Sequence, residues 1–191
     1  MRITRIFIFC IILLSTGIGS AAAQVPARPA NPPPPPRAGL TLTSTAFADC
    51  AVVPTKYTGV DPNPVSPQMA WTNVLPNTVT FSLILHDPDS NRDVLHWMIF
   101  NIPATVRELP EGLPATAQLA NGATQGKNQG DTIGYRALGG GTGPYHHYIF
   151  ELYALDTKLA LGPDATRTEV LKAMEGHILE KSVLVGRFRR P

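Results

Sequence analysis

Cysteine is almost missing from this 191-residue chain, which holds only Cys10 and Cys50. Two thiols exclude a disulfide-stapled scaffold and any cysteine-based zinc cluster. A surplus of one charge is missing too. Lys and Arg number 16 against 14 Asp and Glu, a formal net charge of +2. No basic excess points to nucleic acid, and no acidic excess marks a solvating tail. Long hydrophobic runs are equally scarce. The run from Ile6 to Leu14 falls well short of the ~20 apolar residues that a membrane helix needs. What the chain does have is 19 Pro and 16 Gly, which argue against a helical bundle and for strands joined by many turns. Its length suits one domain plus a tail.

The tail reads as two pieces. Arg2 and Arg5 precede the apolar run, and Ala21-Ala22-Ala23 follows a stretch of small residues. This is the tripartite pattern of a secretory signal, so residues 1–23 are expected to be cleaved before Gln24. No membrane span is then expected in the mature chain, and its location is periplasmic or secreted. Cys10 leaves with the signal, so Cys50 stands alone, to be buried or free for intermolecular pairing. Residues 24–39 include PARPANPPPPPR, whose prolines lack amide donors and fix φ. That stretch reads as a disordered, extended spacer. The domain occupies residues 40–191.

Within the domain, period-2 alternation marks strands. Thr78–Asp87 sets Val79, Phe81, Leu83 and Leu85 against Thr80, Ser82, Ile84 and His86. Val94–Asn101 sets Val94, His96, Met98 and Phe100 on one face. His146–Leu155 sets His146, Tyr148, Phe150 and Leu152 on one face, opposite His147, Ile149, Glu151 and Tyr153. Leu40–Ser44 and Val183–Phe188 are weaker strand candidates. Thr166 and Glu169 have capping-box spacing behind Pro163, and Val170, Leu171, Met174, Ile178 and Leu179 follow at helical intervals, interrupted by Gly176. The sum is a β-rich α+β domain of mostly antiparallel sheet with a C-terminal helix.

The ionisable residues fall at one edge of that sheet. Asp87 ends the apolar stripe of its strand, and the short polar link Pro88–Asp93 should return the next strand antiparallel. His96 then opens that neighbour at the same edge. His146 and Tyr148 open a later strand two residues apart and point the same way. If that strand runs parallel to the one carrying His96, all four groups meet above an apolar floor, the makings of a small-ligand pocket. Singly, Asp87 before Pro88 is also a turn residue, and His86 and His177 read as structural. The run Gly139-Gly140-Gly141-Thr142-Gly143 lacks the Gly-Lys-Ser/Thr of a phosphate loop. It is either a nest of backbone amides or a surface loop.

In this order and spacing, Leu42-Thr43-Ser44, Ser66-Pro67, Trp71, Asp87-Pro88-Asp89, His96-Trp97, Asn101-Ile102-Pro103, His146-His147-Tyr148 and Glu151 to Asp156 carry a resemblance. From about Leu40 to Arg190 the chain resembles the bacterial branch of the phosphatidylethanolamine-binding protein (PEBP), or Raf-kinase-inhibitor-like, family. The resemblance implies a large antiparallel sheet packed on a smaller one, with helix or helices toward the C-terminus. It also implies a pocket for phosphate-bearing or other anionic head groups. The family's D-P-D motif falls on Asp87 and Asp89, its His-aromatic motif on His96-Trp97, and its H-R-Y motif on His146 and Tyr148. Here His147 replaces the Arg of H-R-Y, and a glycine run replaces the usual proline-rich stretch before it.

The expectation is therefore a non-enzymatic exported binding protein. Its ligand is a small anionic or phosphorylated molecule, held by Asp87, Asp89, His96, Gly143, His146 and Tyr148 with no metal and no cofactor. An inhibitor or interaction module for a protein partner is the alternative. A hydrolase is less favoured, because no G-x-S-x-G or H-E-x-x-H occurs. A metal held by His96, Asp87, Asp89 and His146 would lack a recognised ligand spacing. Mass spectrometry of the mature protein should find Gln24 at its N-terminus. An intact Met1 on the exported chain would overturn the signal assignment.

Overall fold

In a computed structural model, the structure describes residues 37–191, so the signal sequence, Cys10 and the tether up to Pro36 lie outside the described residues. The strands are β1 (Thr41–Thr43), β2 (Ala51–Val52), β3 (Met69–Thr72), β4 (Thr80–Asp87), β5 (Val94–Pro103), β6 (Glu108–Leu109), β7 (Thr124–Gln125), β8 (His146–Leu155) and β9 (Ile178–Phe188). A single α-helix, α1 (Arg167–Met174), stands among the described residues and precedes β9. A six-stranded sheet runs β2-β9-β8-β4-β5-β7, and a three-stranded sheet runs β1-β3-β6. All pairings are antiparallel except β2 with β9. Among the described residues no helix is long and apolar enough to cross a membrane.

Strand β4 is the spine, and all eight of its residues are buried. The expected contrast between an apolar and a polar face is replaced by two covered faces. Phe81, Leu83 and Leu85 point toward the small sheet, where they meet Leu42, Met69 and Leu109. Trp71 stands edge-on to Phe81 with ring centroids 5.2 Å apart. On the other face Ile84 joins Met98, Phe100, Tyr153, Leu155 and Leu159 beneath Val170 and Met174 of α1. Full burial of each such side chain contributes about 1.5–3 kcal/mol. Val79, read as the first residue of the stripe, instead lies just before the strand and is 48% exposed.

Strand β5 departs from simple alternation, and the reason is two bulges. Leu85 pairs with Trp97 but His86 pairs with Leu95, so His96 is an extra residue on β5. A bulge of this kind shifts parity from that point onward. His96 and Trp97 therefore both face the small sheet, as does Ile99, while Met98 and Phe100 turn to the helix side. The expected grouping of Val94 and His96 with Met98 and Phe100 is corrected accordingly. The second bulge falls between Phe81 and Leu83, and there Asn101 adopts φ 57°. Its amide donates to Leu159 O (2.9 Å) and its carbonyl accepts from Leu159 N (2.8 Å), which ties the segment before α1 to the sheet.

The helix begins as expected. Thr166 Oγ1 accepts from the Glu169 amide, and the Glu169 carboxylate accepts from the Thr166 amide. It ends early, however. Gly176 at φ 79° reverses the chain, and Ile178 and Leu179, read as helical, open β9 instead. Gly176, read as an interruption of the helical pattern, is its terminator, with a left-handed backbone that only glycine adopts freely. Cys50, for which burial was one reading, is exposed and sits at φ 58°.

Substituting Asn101→Ala should destabilise the domain by about 3 kcal/mol, since it strains a left-handed residue and orphans two buried backbone groups. Urea denaturation checks this, and a change below about 0.5 kcal/mol, the ordinary range for a surface substitution, would show that the Leu159 tie is unimportant.

Candidate functional site

Strands β5 and β8 flank β4 on opposite sides and both run antiparallel to it, so they are parallel to each other. This meets the condition for convergence. Asp87, at the end of β4, comes between His96 of the β5 bulge and His146 at the start of β8. Together with Ser90, Val94, Gly59, Ala137, Gly139–Gly141, Arg136 and Arg190 they line a cleft of about 520 Å³.

Asp87 is the anchor, 4% exposed. Its Oδ1 accepts from the amides of Asp89 (3.0 Å) and Ser90 (3.1 Å), the geometry of an Asx turn capping β4. Its Oδ2 accepts from His146 Nδ1–H at 2.7 Å. Both oxygens are thus committed inside the protein. The His146 ring is thereby fixed with Nδ1 inward, which leaves Nε2 as its cleft-facing atom.

His96 is held in a similar way by backbone. Its Nδ1–H donates to Arg136 O (3.1 Å), while the Arg136 amide donates to His96 O (2.8 Å). The imidazole is 3% exposed and packs edge-on against Tyr148, with centroids 5.3 Å apart. Burial holds its pKa below the ordinary 6.5, opposed by the Arg136 carbonyl and the Asp87 charge and aided by the Arg136 cation. At neutral pH His96 is an uncharged ring whose unprotonated Nε2 is an acceptor.

Tyr148 is fully buried and forms the floor beneath His96 rather than part of the lining. Its phenol oxygen accepts from the Gly140 amide at 2.8 Å, so it braces the glycine loop. Burial, with the neighbouring Asp87 charge, drives its pKa well above the ordinary tyrosine value.

The remaining expected residues fall elsewhere. Asp89 turns away from the cleft, and its Oδ2 accepts from both the amide and Nδ1–H of His147 at 2.7 Å. The His147 amide and ring hold the Asp89 carboxyl below its usual range. Gly143 is exposed and does not line the cleft, whereas Gly139, Gly140 and Gly141 do. His86, on the opposite face, is hydrogen-bonded to Asp93, which also accepts from Arg167 at 2.7 Å. His177 pairs with Asp156. Among the described residues no three His, Cys, Asp or Glu side chains cluster as a metal site requires.

Sequence reasoning missed Arg190 and the backbone of Arg136. Arg190 follows β9, whose Phe188 pairs with His146. Its Nε donates to Gly139 O (3.0 Å) and its amide to Gly141 O (2.8 Å). The legible signal was the Arg-Phe-Arg-Arg end of a strand antiparallel to the one that His146 opens.

A family model described as phosphatidylethanolamine-binding protein matches residues 43–189. The chain belongs to that family. A UPF0098 protein of Methanothermobacter thermautotrophicus is 41% identical over 152 residues, which cover 79% of this chain and 99% of the relative. One of Pyrococcus abyssi is 39% identical over 160 residues, covering 79% of this chain and 86% of that one. Among solved structures, a PEBP homologue from Chlamydia trachomatis matches with TM-score 0.70 and 32% identity, covering 80% of this chain and 99% of that one. E. coli YbcL shares the fold at TM-score 0.71 and 24% identity, over 81% of this chain and all of that one. The PEBP match thus spans every residue that lines the cleft except Arg190.

Because burial depresses the His96 pKa, protons bind the unfolded chain more readily there. The stability contributed by the neutral ring is complete above 6.5 and drains away as pH falls toward the folded value. Wild-type protein should therefore lose more stability between about pH 7.5 and pH 5 than His96→Phe, as read by denaturant titration. Equal losses would show that His96 carries no folding-linked titration.

Proposed function

We propose that this PEBP-family domain is an exported binding protein that holds a small anionic or phosphate-bearing head group in the Asp87–His96–His146 cleft. The observation that carries the reading is the Asp87–His146 hydrogen bond at the cleft wall. It orients Nε2 toward the opening and lets Asp87 offset the positive charge when His146 takes a proton. A protonated Nε2–H then donates to an anionic oxygen, a charge-assisted bond of about 1.5–3 kcal/mol. Arg190 adds a permanent cation at the rim, and the glycine loop lets backbone approach a ligand closely. Export is supported by the signal pattern of residues 1–23.

Binding is favoured over turnover by the absence of an activated nucleophile at the cleft. Ser90 Oγ donates to Asp87 O (2.7 Å) and accepts from the Val94 amide (3.0 Å), so it is bound at both its donor and an acceptor site. The Tyr148 phenol is buried and remains protonated. A carboxylate–imidazole pair without a nucleophile orients a ligand but opens no covalent route.

Calorimetry with inorganic phosphate should show binding to the wild type. His146→Ala should weaken it by about ten-fold or more. Equal binding by wild type and His146→Ala, or no heat with the wild type, would sink the proposal.

A further inference from the structure

The face of the large sheet turned away from the small sheet is covered over only part of its width. There α1 and the segment before it pack on Ile84, Met98, Phe100 and the far end of β8, Tyr153 and Leu155. Along β2, β9 and the first part of β8, no helix among the described residues covers that face. Tyr148, Phe150, Leu184 and Phe188 point to the small sheet, so alternation sends His147, Ile149, Val183, Val185 and Arg187 to the open side. Register sets Ile149 beside Val185, and Arg187 beside both His147 and Val52. Val52 and Val183 are 50% and 43% exposed, and Ile149 and Val185 are half-buried. They form an aliphatic strip open to water, the kind of patch that marks an interaction surface.

One end of the strip carries charge without a partner. The exposed Tyr145 ring packs against two guanidinium groups, with Arg187 Cζ 5.6 Å and Arg189 Cζ 4.9 Å from its centroid. Among the described residues the lysine and arginine ion pairs fall on Arg37, Lys56, Lys127, Arg167 and Lys181. Arg187 and Arg189 have no carboxylate, and Arg187 Nε is closed off from solvent with no hydrogen-bond partner. Nearby carboxylates are already engaged. Glu151 takes Lys181 and the Tyr153 phenol, Asp89 takes His147, and Asp49 at the sheet edge accepts from the Val185 amide. Two cations held on one ring repel each other until an anion joins them.

We propose that this face docks an acidic amphipathic helix of a partner protein. Its apolar stripe lies on Val52, Ile149, Val183 and Val185, and its carboxylates meet Arg187 and Arg189. Three strands about 4.8 Å apart present a strip about 10 Å wide, the diameter of one helix. Helix α1 already covers the neighbouring part of the same face in this manner. Arginine takes a carboxylate through two parallel N–H···O bonds while stacking on an aromatic ring, so the tyrosine-backed pair suits carboxylates in particular. A second copy of the chain fits less well. A two-fold contact would set the patch against itself, and the patch has no spare carboxylate for its own arginines. A bilayer fits less well too. Its apolar anchors must reach about 5–10 Å into the head-group boundary, whereas these are strand side chains, two of them half-buried. The docking face is distinct from the cleft, because His147 and Arg187 point away from His146 and Phe188.

Fluorescence anisotropy on the mature protein at low salt tests this with two labelled peptides. One is an amphipathic helix of Leu and Glu, roughly 18 residues or five turns long, and the other carries Gln in place of every Glu. The Glu peptide should bind the wild type at least about ten-fold more tightly, the scale of one charge-assisted hydrogen bond. In Arg187→Gln/Arg189→Gln the two affinities should converge. Val183→Asp, at an exposed position, should weaken the Glu peptide by about ten-fold. Lys158→Gln removes an exposed cation beyond the far end of β8 and should change neither affinity. A thermal melt confirms that each variant is folded. Equal binding of the two peptides, an undiminished preference in the arginine variant, or an equal loss in Lys158→Gln overturns the proposal. So does dimerisation in sedimentation that Val183→Asp abolishes, which assigns the face to a second copy. Binding to phosphatidylglycerol vesicles that the arginine variant loses, with no peptide binding, assigns it to a membrane and overturns the helix. None of these outcomes bears on phosphate binding at the cleft.

Discussion

Beside the cleft, β5 carries one residue more than β4 opposite Leu85 and His86. Val94 and His96 share the Asp87 side, and the bulge brings Trp97 to that side as well, so that Met98 and Phe100 turn toward the helix. The bulge also breaks the regular ladder, so the loop that passes beside β5 completes it. The Arg136 amide and carbonyl bracket His96, the Gln129 amide bonds Leu95 O, and the Gly126 amide bonds Met98 O. The Arg136 backbone thus holds the ring where the ladder is interrupted, and the same loop walls the cleft.

Asp87 serves the other side by the same economy. A carboxylate this deeply buried is costly unless its lone pairs are filled. Two amides from the turn that follows β4 and one imidazole from β8 fill them. The same contacts close the β4–β5 turn and lock the start of β8 against it, across a sequence separation of 59 residues. Fold and cleft therefore share a single electrostatic joint at Asp87. The paired His147–Asp89 contact outside the cleft pins the same corner from solvent.

Much of this was legible in the chain. Period-2 alternation located β4, β5 and β8, and parity placed Asp87, His146 and Tyr148 on one side. The capping box at Thr166 and Glu169 marked the start of α1. What escaped notice has common physical causes. A bulge leaves no composition signature, so alternation placed His96 beside Asp87 but wrongly kept Met98 and Phe100 on the same side. Burial of both faces of β4 depends on α1 and the small sheet, which pattern along one strand does not encode. Asp89 looks like a site residue by motif but is taken up by the His147 amide and ring outside the cleft. Arg190 becomes visible only once β9 is known to run back beside β8.

The rim makes the strongest case for a binding site set in advance. Gly140 sits at φ 52°, and a Cβ there would approach the Phe188 ring at 3.1 Å and the Arg189 backbone at 3.2 Å. The glycine is required by close packing of the loop onto the end of β9, not by looseness. Tyr148 accepts from the Gly140 amide below, and Arg190 grips the Gly139 and Gly141 carbonyls beside it. A glycine-rich loop held at three consecutive residues has already surrendered most of the freedom a ligand would otherwise have to remove. Ordering costs are a main drain on affinity for small ligands, so fixing them during folding shifts that burden away from the binding step. The same restraint argues against a lid that closes over the cleft, because the loop is already fixed from below by Tyr148 and from the side by Arg190.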